Sequence, residues 1–191
     1  MANRSNTASI HILDDDSLLN FFCFYRLDIF DEDGNGVRVA KGTRWDHGDW
    51  WYNLAHICQR WRNLILESAS YLGVYLVFTS GKPVADMLAH SPPLPLIIDY
   101  DSDIGEEDEE GIALALEKHD RVRRIRLWMP ISKLEKPLLI MAIVEEYPVL
   151  EYMIVGHVAK GGDPALMLPE TFQAPHLHHL LLSGFTFPKR S

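Results

Sequence analysis

Val122-Arg123-Arg124-Ile125-Arg126-Leu127 places apolar residues at the first, fourth and sixth positions of a short run, and the spacing returns twice downstream. Val149, Tyr152 and Ile154 read as a second copy, and Leu177, Leu180 and Leu182 as a third. From Ile125 to Tyr152 is 27 residues, and from Tyr152 to Leu180 is 28. Leu134, Leu138, Met141 and Val144 supply a helical face between the first two copies, with Pro137 expected inside the first turn of that helix. Units of this size hide an apolar face only by stacking on their neighbours.

Strand, helix, strand at this period is the arrangement of a leucine-rich-repeat arc, so the expected fold class is α/β with a short strand-and-helix solenoid. Upstream, the β-rich run from Tyr71 to Thr79 predicts a strand stopped by Ser80-Gly81. Lys82 to His90 predicts a short helix. Pro92, Pro93 and Pro95 enforce an extended path into a strand over Leu96 to Tyr100. Eight carboxylates lie between Asp99 and Glu110, a density expected to face water and to favour the start of the helix carrying Ile112 to Leu116. The third copy has no folded successor, so the chain is expected to be a fragment, a shortened gene product, or an array capped by a partner.

Before the repeats the period is helical. Asp14, Asp15 and Asp16 precede Leu18, Leu19, Phe21, Phe22 and Tyr25, which predicts a helix from Asp15 to about Arg26 with negative charge at its positive end. Asp28 to Asp49 holds Gly34, Gly36, Gly42 and Gly48 among charged residues and reads as an inserted loop. Trp51, Leu54, Ile57, Cys58, Trp61, Leu64 and Ile65 then follow one helix face, predicting a single helix from Trp50 to Glu67 or Ser68. The division is thus a helical module over 10–70, with the loop 28–49 inserted, and an α/β repeat region over 71–191.

The opening Ile12-Leu13-Asp14-Asp15-Asp16-Ser17-Leu18-Leu19, the later Cys58-Gln59-Arg60-Trp61-Arg62 and the repeats after them together resemble an F-box protein of the F-box plus leucine-rich-repeat kind found in mushroom-forming fungi. The landmarks Thr79-Ser80-Gly81-Lys82-Pro83 and His119 to Ile125 also look like that group, and the likeness spans about Ile10 to Pro188. The family usually has Pro directly after the Leu of the opening motif, where this chain has Asp14, and its link between the first two helices is shorter. The resemblance implies a module that docks on a Skp-type adaptor of a cullin-RING ubiquitin ligase, while the repeats hold an unidentified client protein. Leu13, Leu18, Leu19, Phe22, Ile57, Cys58 and Trp61 would face the adaptor. The alternative is a stand-alone protein-binding module in which Leu18, Phe22 and Trp61 belong to the chain's own core.

On the repeats, Arg124, Arg126 and Trp128 are expected to share one sheet face with Glu151, Met153 and Val155 of the second copy and His179, Leu181 and Ser183 of the third. That strip reads as a client-binding surface, or its arginines neutralise Glu106 to Glu110. A formal charge of −9 sets a repulsive background for nucleic acid, and no apolar run reaches the roughly 20 residues of a membrane span. Two cysteines in apolar stretches suit a reducing compartment, so the expected location is cytoplasmic or nuclear.

No catalytic residue, cofactor or metal is expected. Gly-x-Ser-x-Gly, a phosphate loop and the dinucleotide glycine turn are all missing from the sequence. Asp31-Glu32-Asp33-Gly34-Asn35-Gly36 matches the first half of a calcium loop, but Gly42 stands where the bidentate Glu is needed, and the stretch reads as an acidic surface turn. His157, His176, His178 and His179 lack cysteine partners and a ligand spacing, and read as structural or solvent-facing.

Overall fold

A parallel strand can reach its neighbour only through a crossover, and the interval between the sequence copies is long enough for a strand, a helix and two loops. The chain uses this interval repeatedly. The computed structural model describes residues 12–30, 50–101, 105–144, 146–157 and 167–185. They fall into two compact units divided between Val74 and Tyr75, past Ser70, because a short helix after that residue still belongs with the preceding helices.

The second unit is a five-stranded parallel sheet whose strands run in chain order: β1 (Leu76–Phe78), β2 (Leu96–Asp101), β3 (Val122–Trp128), β4 (Tyr152–Gly156) and β5 (His179–Ser183). Ile98, Ile125, Met153 and Leu180 stand side by side, each one nearly constant step of chain after the last. Tyr100, Leu127, Val155 and Leu182 form the next row. From Ile98 and Tyr100 through Met153 and Val155 these two rows are fully buried, whereas Leu180 on the last strand is exposed. The second copy therefore runs through Leu150, Met153 and Val155, not Val149, Tyr152 and Ile154. Four successive apolar residues, Tyr152 to Val155, satisfy either register in sequence, and burial selects the other one.

Polar contacts keep the same interval. The Asp108 carboxylate accepts the Gly81 N–H at 3.0 Å, Arg121 donates to the Leu94 carbonyl at 2.8 Å, and Arg126 donates to Asp99 at 3.0 Å, each across 27 residues. Helices α5 (Val84–His90), α6 (Glu106–Leu116) and α7 (Ile131–Val144) follow β1, β2 and β3 in turn. The Tyr100 ring reaches α6, where a methyl on Gly111 would meet Val84 at 3.0 Å and the Tyr100 hydroxyl at 3.7 Å. Close packing explains the glycine inside a helix. The acidic run begins α6 itself, and Glu109 pairs with Lys133 of α7. Pro137 lies mid-helix in α7, beyond its first turn, and is buried.

The first unit is helical: α1 (Asp15–Phe30), α2 (Trp50–Ala55), α3 (Gln59–Glu67) and α4 (Ala69–Leu72). The expected single helix over 50–67 breaks at His56-Ile57-Cys58, and the expected strand over 71–79 shrinks to β1 because Ala69 to Leu72 form a helical turn closed by Gly73 in the left-handed region. The orphan carbonyl at the end of α2 is satisfied by Arg62, whose Nε donates to the Ala55 oxygen at 3.1 Å. Residues 31–49, with the half calcium loop, lie outside the described residues.

Gly156 is fixed by a ring: a Cβ there would come within 2.6 Å of Trp128 and 2.9 Å of the Ser183 Cβ. Gly156→Ala should destabilise the sheet unit by about 1–3 kcal/mol as overpacking does. A urea midpoint equal to wild type would show that the Trp128 ring is free to move aside.

Candidate functional site

One face of the sheet is fully buried through β4, and the other, more open face, covered at Ile97 and Asp99 and half-exposed at Arg124, Arg126, Trp128, Tyr152 and Ile154, is built in three cross-strand rows. Ile97, Arg124, Tyr152 and His179 form the first, Asp99, Arg126, Ile154 and Leu181 the second, and Asp101, Trp128, Gly156 and Ser183 the third. Arg124, Arg126, Trp128, His179 and Leu181 thus share a face as their spacing predicted. Met153 and Val155 do not. Both are fully buried in the opposite rows, a correction forced by the one-residue change of register. Tyr152 and Ile154 take their places. Glu151 precedes β4 and binds Arg123 at 2.7 Å.

The arginines are largely answered by carboxylates of the sheet. Arg126 donates through Nη1 to Asp99 and through Nη2 to Asp101 at 2.8 Å, a fork that joins both neighbours on β2. Asp99 is buried, so the acidic residues taken as wholly solvated include one that holds the centre of this face. Arg123 and Arg124 flank the Tyr75 ring at 5.7 and 5.9 Å from its centroid. Tyr152 and His179 stack with centroids 4.5 Å apart and planes 8° apart. The β2–β3 half is therefore ionic and internally paired, while the β4–β5 half offers Tyr152, Ile154, His179 and Leu181, the last 43% exposed.

On the helical unit the seven residues assigned to an adaptor separate into two groups. Leu18 and Phe22 are fully buried and Trp61 is 3% exposed, with the Phe22 and Trp61 rings edge to face at 5.0 Å. These three form the unit's own core, and their assignment to a partner is corrected on that ground. Leu13 is 41% and Ile57 55% exposed, while Leu19 and Cys58 are half-buried. Ile12, which opens the motif, and Phe21 and Phe24 add exposed apolar surface outside the seven assigned residues. Leu19 lines an open cleft of about 580 Å³ with Asp16, Asn20, Glu67 and Tyr71.

Asp14, standing where the resembling family carries Pro, caps α1. Its Oδ1 accepts the Ser17 N–H at 2.7 Å, and its carbonyl accepts the Leu18 N–H at 3.1 Å. The Ser17 backbone bond, then the Ser17 side chain, hold the Asp14 carboxyl below its ordinary value. Arg123 does the same for Glu151.

Among the described residues no group of three or more His, Cys, Asp or Glu is placed to hold a metal ion, and no helix is long and apolar enough to cross a membrane. His157 is buried against Gly184, while His176, His178 and His179 are exposed.

Both depressed carboxyls contribute stability that is present above their unfolded values, 3.8 for Asp14 and 4.5 for Glu151, and lost as pH falls through the folded ones. Acid titration of the folded protein should show this loss beginning below about pH 4.5, and Glu151→Gln should flatten it; an unchanged acid profile would refute the ion pair's role. Arg126→Met leaves Asp99 buried with one partner fewer and should cost roughly 3 kcal/mol in urea unfolding. Trp61→Ala should cost about 3–5 kcal/mol and unfold the helical unit first.

Comparison with family models, with curated proteins and with solved structures finds no match to this chain.

Proposed function

We propose that the chain is a non-catalytic substrate receptor: the helical unit docks on a Skp-type adaptor of a cullin-RING ubiquitin ligase, and the open sheet face holds a client protein. The observation that carries this reading is the exposed apolar set Ile12, Leu13 and Ile57 on a helical unit whose core is already complete without them. Such residues bury apolar area on docking at about 25 cal/mol per Å², from which the costs of association are subtracted. A parallel sheet in strict chain order, with its buried rows and polar ties repeating at one nearly constant interval, supports reading the second unit as a short leucine-rich-repeat-like solenoid. Its contribution is proximity, since holding a client near a charged ubiquitin carrier raises the effective concentration of its lysines. This work belongs to the cytoplasm or nucleus.

A second reading, a protein-binding module with no ligase contact, is favoured by the burial of Leu18, Phe22 and Trp61. Co-expression with a Skp-type adaptor separates the two. The adaptor reading expects a stoichiometric complex on gel filtration, weakened at least tenfold by Leu13→Asp or Ile57→Asp while the melting temperature holds, because exposed substitutions change stability by only about 0.5 kcal/mol. A wild-type chain that elutes apart from the adaptor leaves the second reading.

A further inference from the structure

Resting on the adaptor reading, we propose that Arg60 is the positioning residue that holds the Ile12–Leu13 segment in its docking conformation. Arg60 lies on α3, 47 residues from Leu13, yet its Nη2 donates to the Leu13 carbonyl at 2.6 Å. Its Nε and Nη2 also donate to one Asp15 carboxylate oxygen at 3.1 and 2.6 Å. The guanidinium therefore grips residues 13 and 15 and brackets Asp14, whose carboxylate is engaged on the Ser17 N–H. Leu13 itself keeps its side chain partly in solvent. Ile12 belongs to a 3-10 turn and Leu13 lies between that turn and α1, where the backbone has left one helix and not yet entered the next, so the Arg60 contacts fix the path at this junction.

The grip is a poor source of global stability. The Arg60 and Asp15 side chains are 38% and 62% exposed, and ion pairs that open contribute little to folding. What the fork supplies is geometry: five donors in a rigid plane meet a carbonyl and a carboxylate together, which an ammonium cannot do. A backbone path fixed at Leu13 before contact leaves less freedom to be lost on binding than one that contact must order.

The test uses the full chain as wild type, Arg60→Met and Arg60→Lys. Amide hydrogen exchange over residues 12–18 is read in the free protein, and affinity is read against purified Skp-type adaptor. The Met variant should exchange at least tenfold faster over that segment and bind at least fivefold more weakly, with its urea midpoint unchanged, and the Lys variant should recover part of both. Unchanged exchange overturns the inference, and so does full affinity in the Met variant. So does a loss of affinity that tracks a lowered urea midpoint. Binding abolished by Leu13→Asp but untouched by Arg60→Met would remove the clamp and keep the adaptor reading. A wild-type chain that ignores the adaptor would remove that reading and the docking half of this inference, whatever the exchange shows.

Discussion

Each apolar row of this sheet is covered because the next stretch of chain repeats it at a nearly constant interval. Ile125 alone on an isolated strand would face water; between Ile98 and Met153 it is fully buried. The polar ties from Gly81 to Asp108, Leu94 to Arg121 and Asp99 to Arg126 share one offset, so backbone register, side-chain burial and ion pairing are all set together. Stability in such an arrangement passes from neighbour to neighbour. Among the described residues β5 has a neighbour on one side, and there Leu180 and Leu181 are both exposed where the inner strands bury or half-bury their counterparts.

The same constraint organises the open face. Asp99 and Asp101 arrive two residues apart on β2, and the one-interval shift puts Arg126 opposite Asp99 with its guanidinium reaching both. A buried carboxylate is tolerable only with such an answer. Because these charges are spent on one another, the less polar part of this face is the aromatic and aliphatic half over β4 and β5. Trp128 reaches across to Gly156, and its ring covers the place where any other side chain would stand. That half of the sheet is shaped by one large residue and one absent one.

In the helical unit, three consecutive residues of α3 do three different things. Trp61 closes the core against Phe22, Arg62 satisfies the open end of α2, and Arg60 secures the approach to α1. A helix turns by about 100° per residue, so neighbours in sequence cannot face the same way. The basic cluster around a tryptophan is thereby a structural hub, and the apolar groups left exposed at the corner and the approach are Ile57, Leu13 and Ile12.

The order of the architecture was legible in the residues alone: helices first, then strands returning at a steady interval, with the helices of 84–90 and 131–144 and the strands at 96–101 and 122–128 all visible as periodicity. Periodicity could not choose the register of β4, because Tyr152-Met153-Ile154-Val155 is apolar at every position and only the neighbours' burial breaks the tie. Gly156 opposite Trp128 carried the needed clue, a small residue in register with a large one, but it has meaning only once the strands are paired. Folding likewise turned Leu18, Phe22 and Trp61 inward and left Leu13 and Ile57 outward, since one amphipathic stripe is equally suited to a partner or to the chain itself. Which apolar surface is left over depends on what the rest of the chain has already covered, and that is a property of three dimensions.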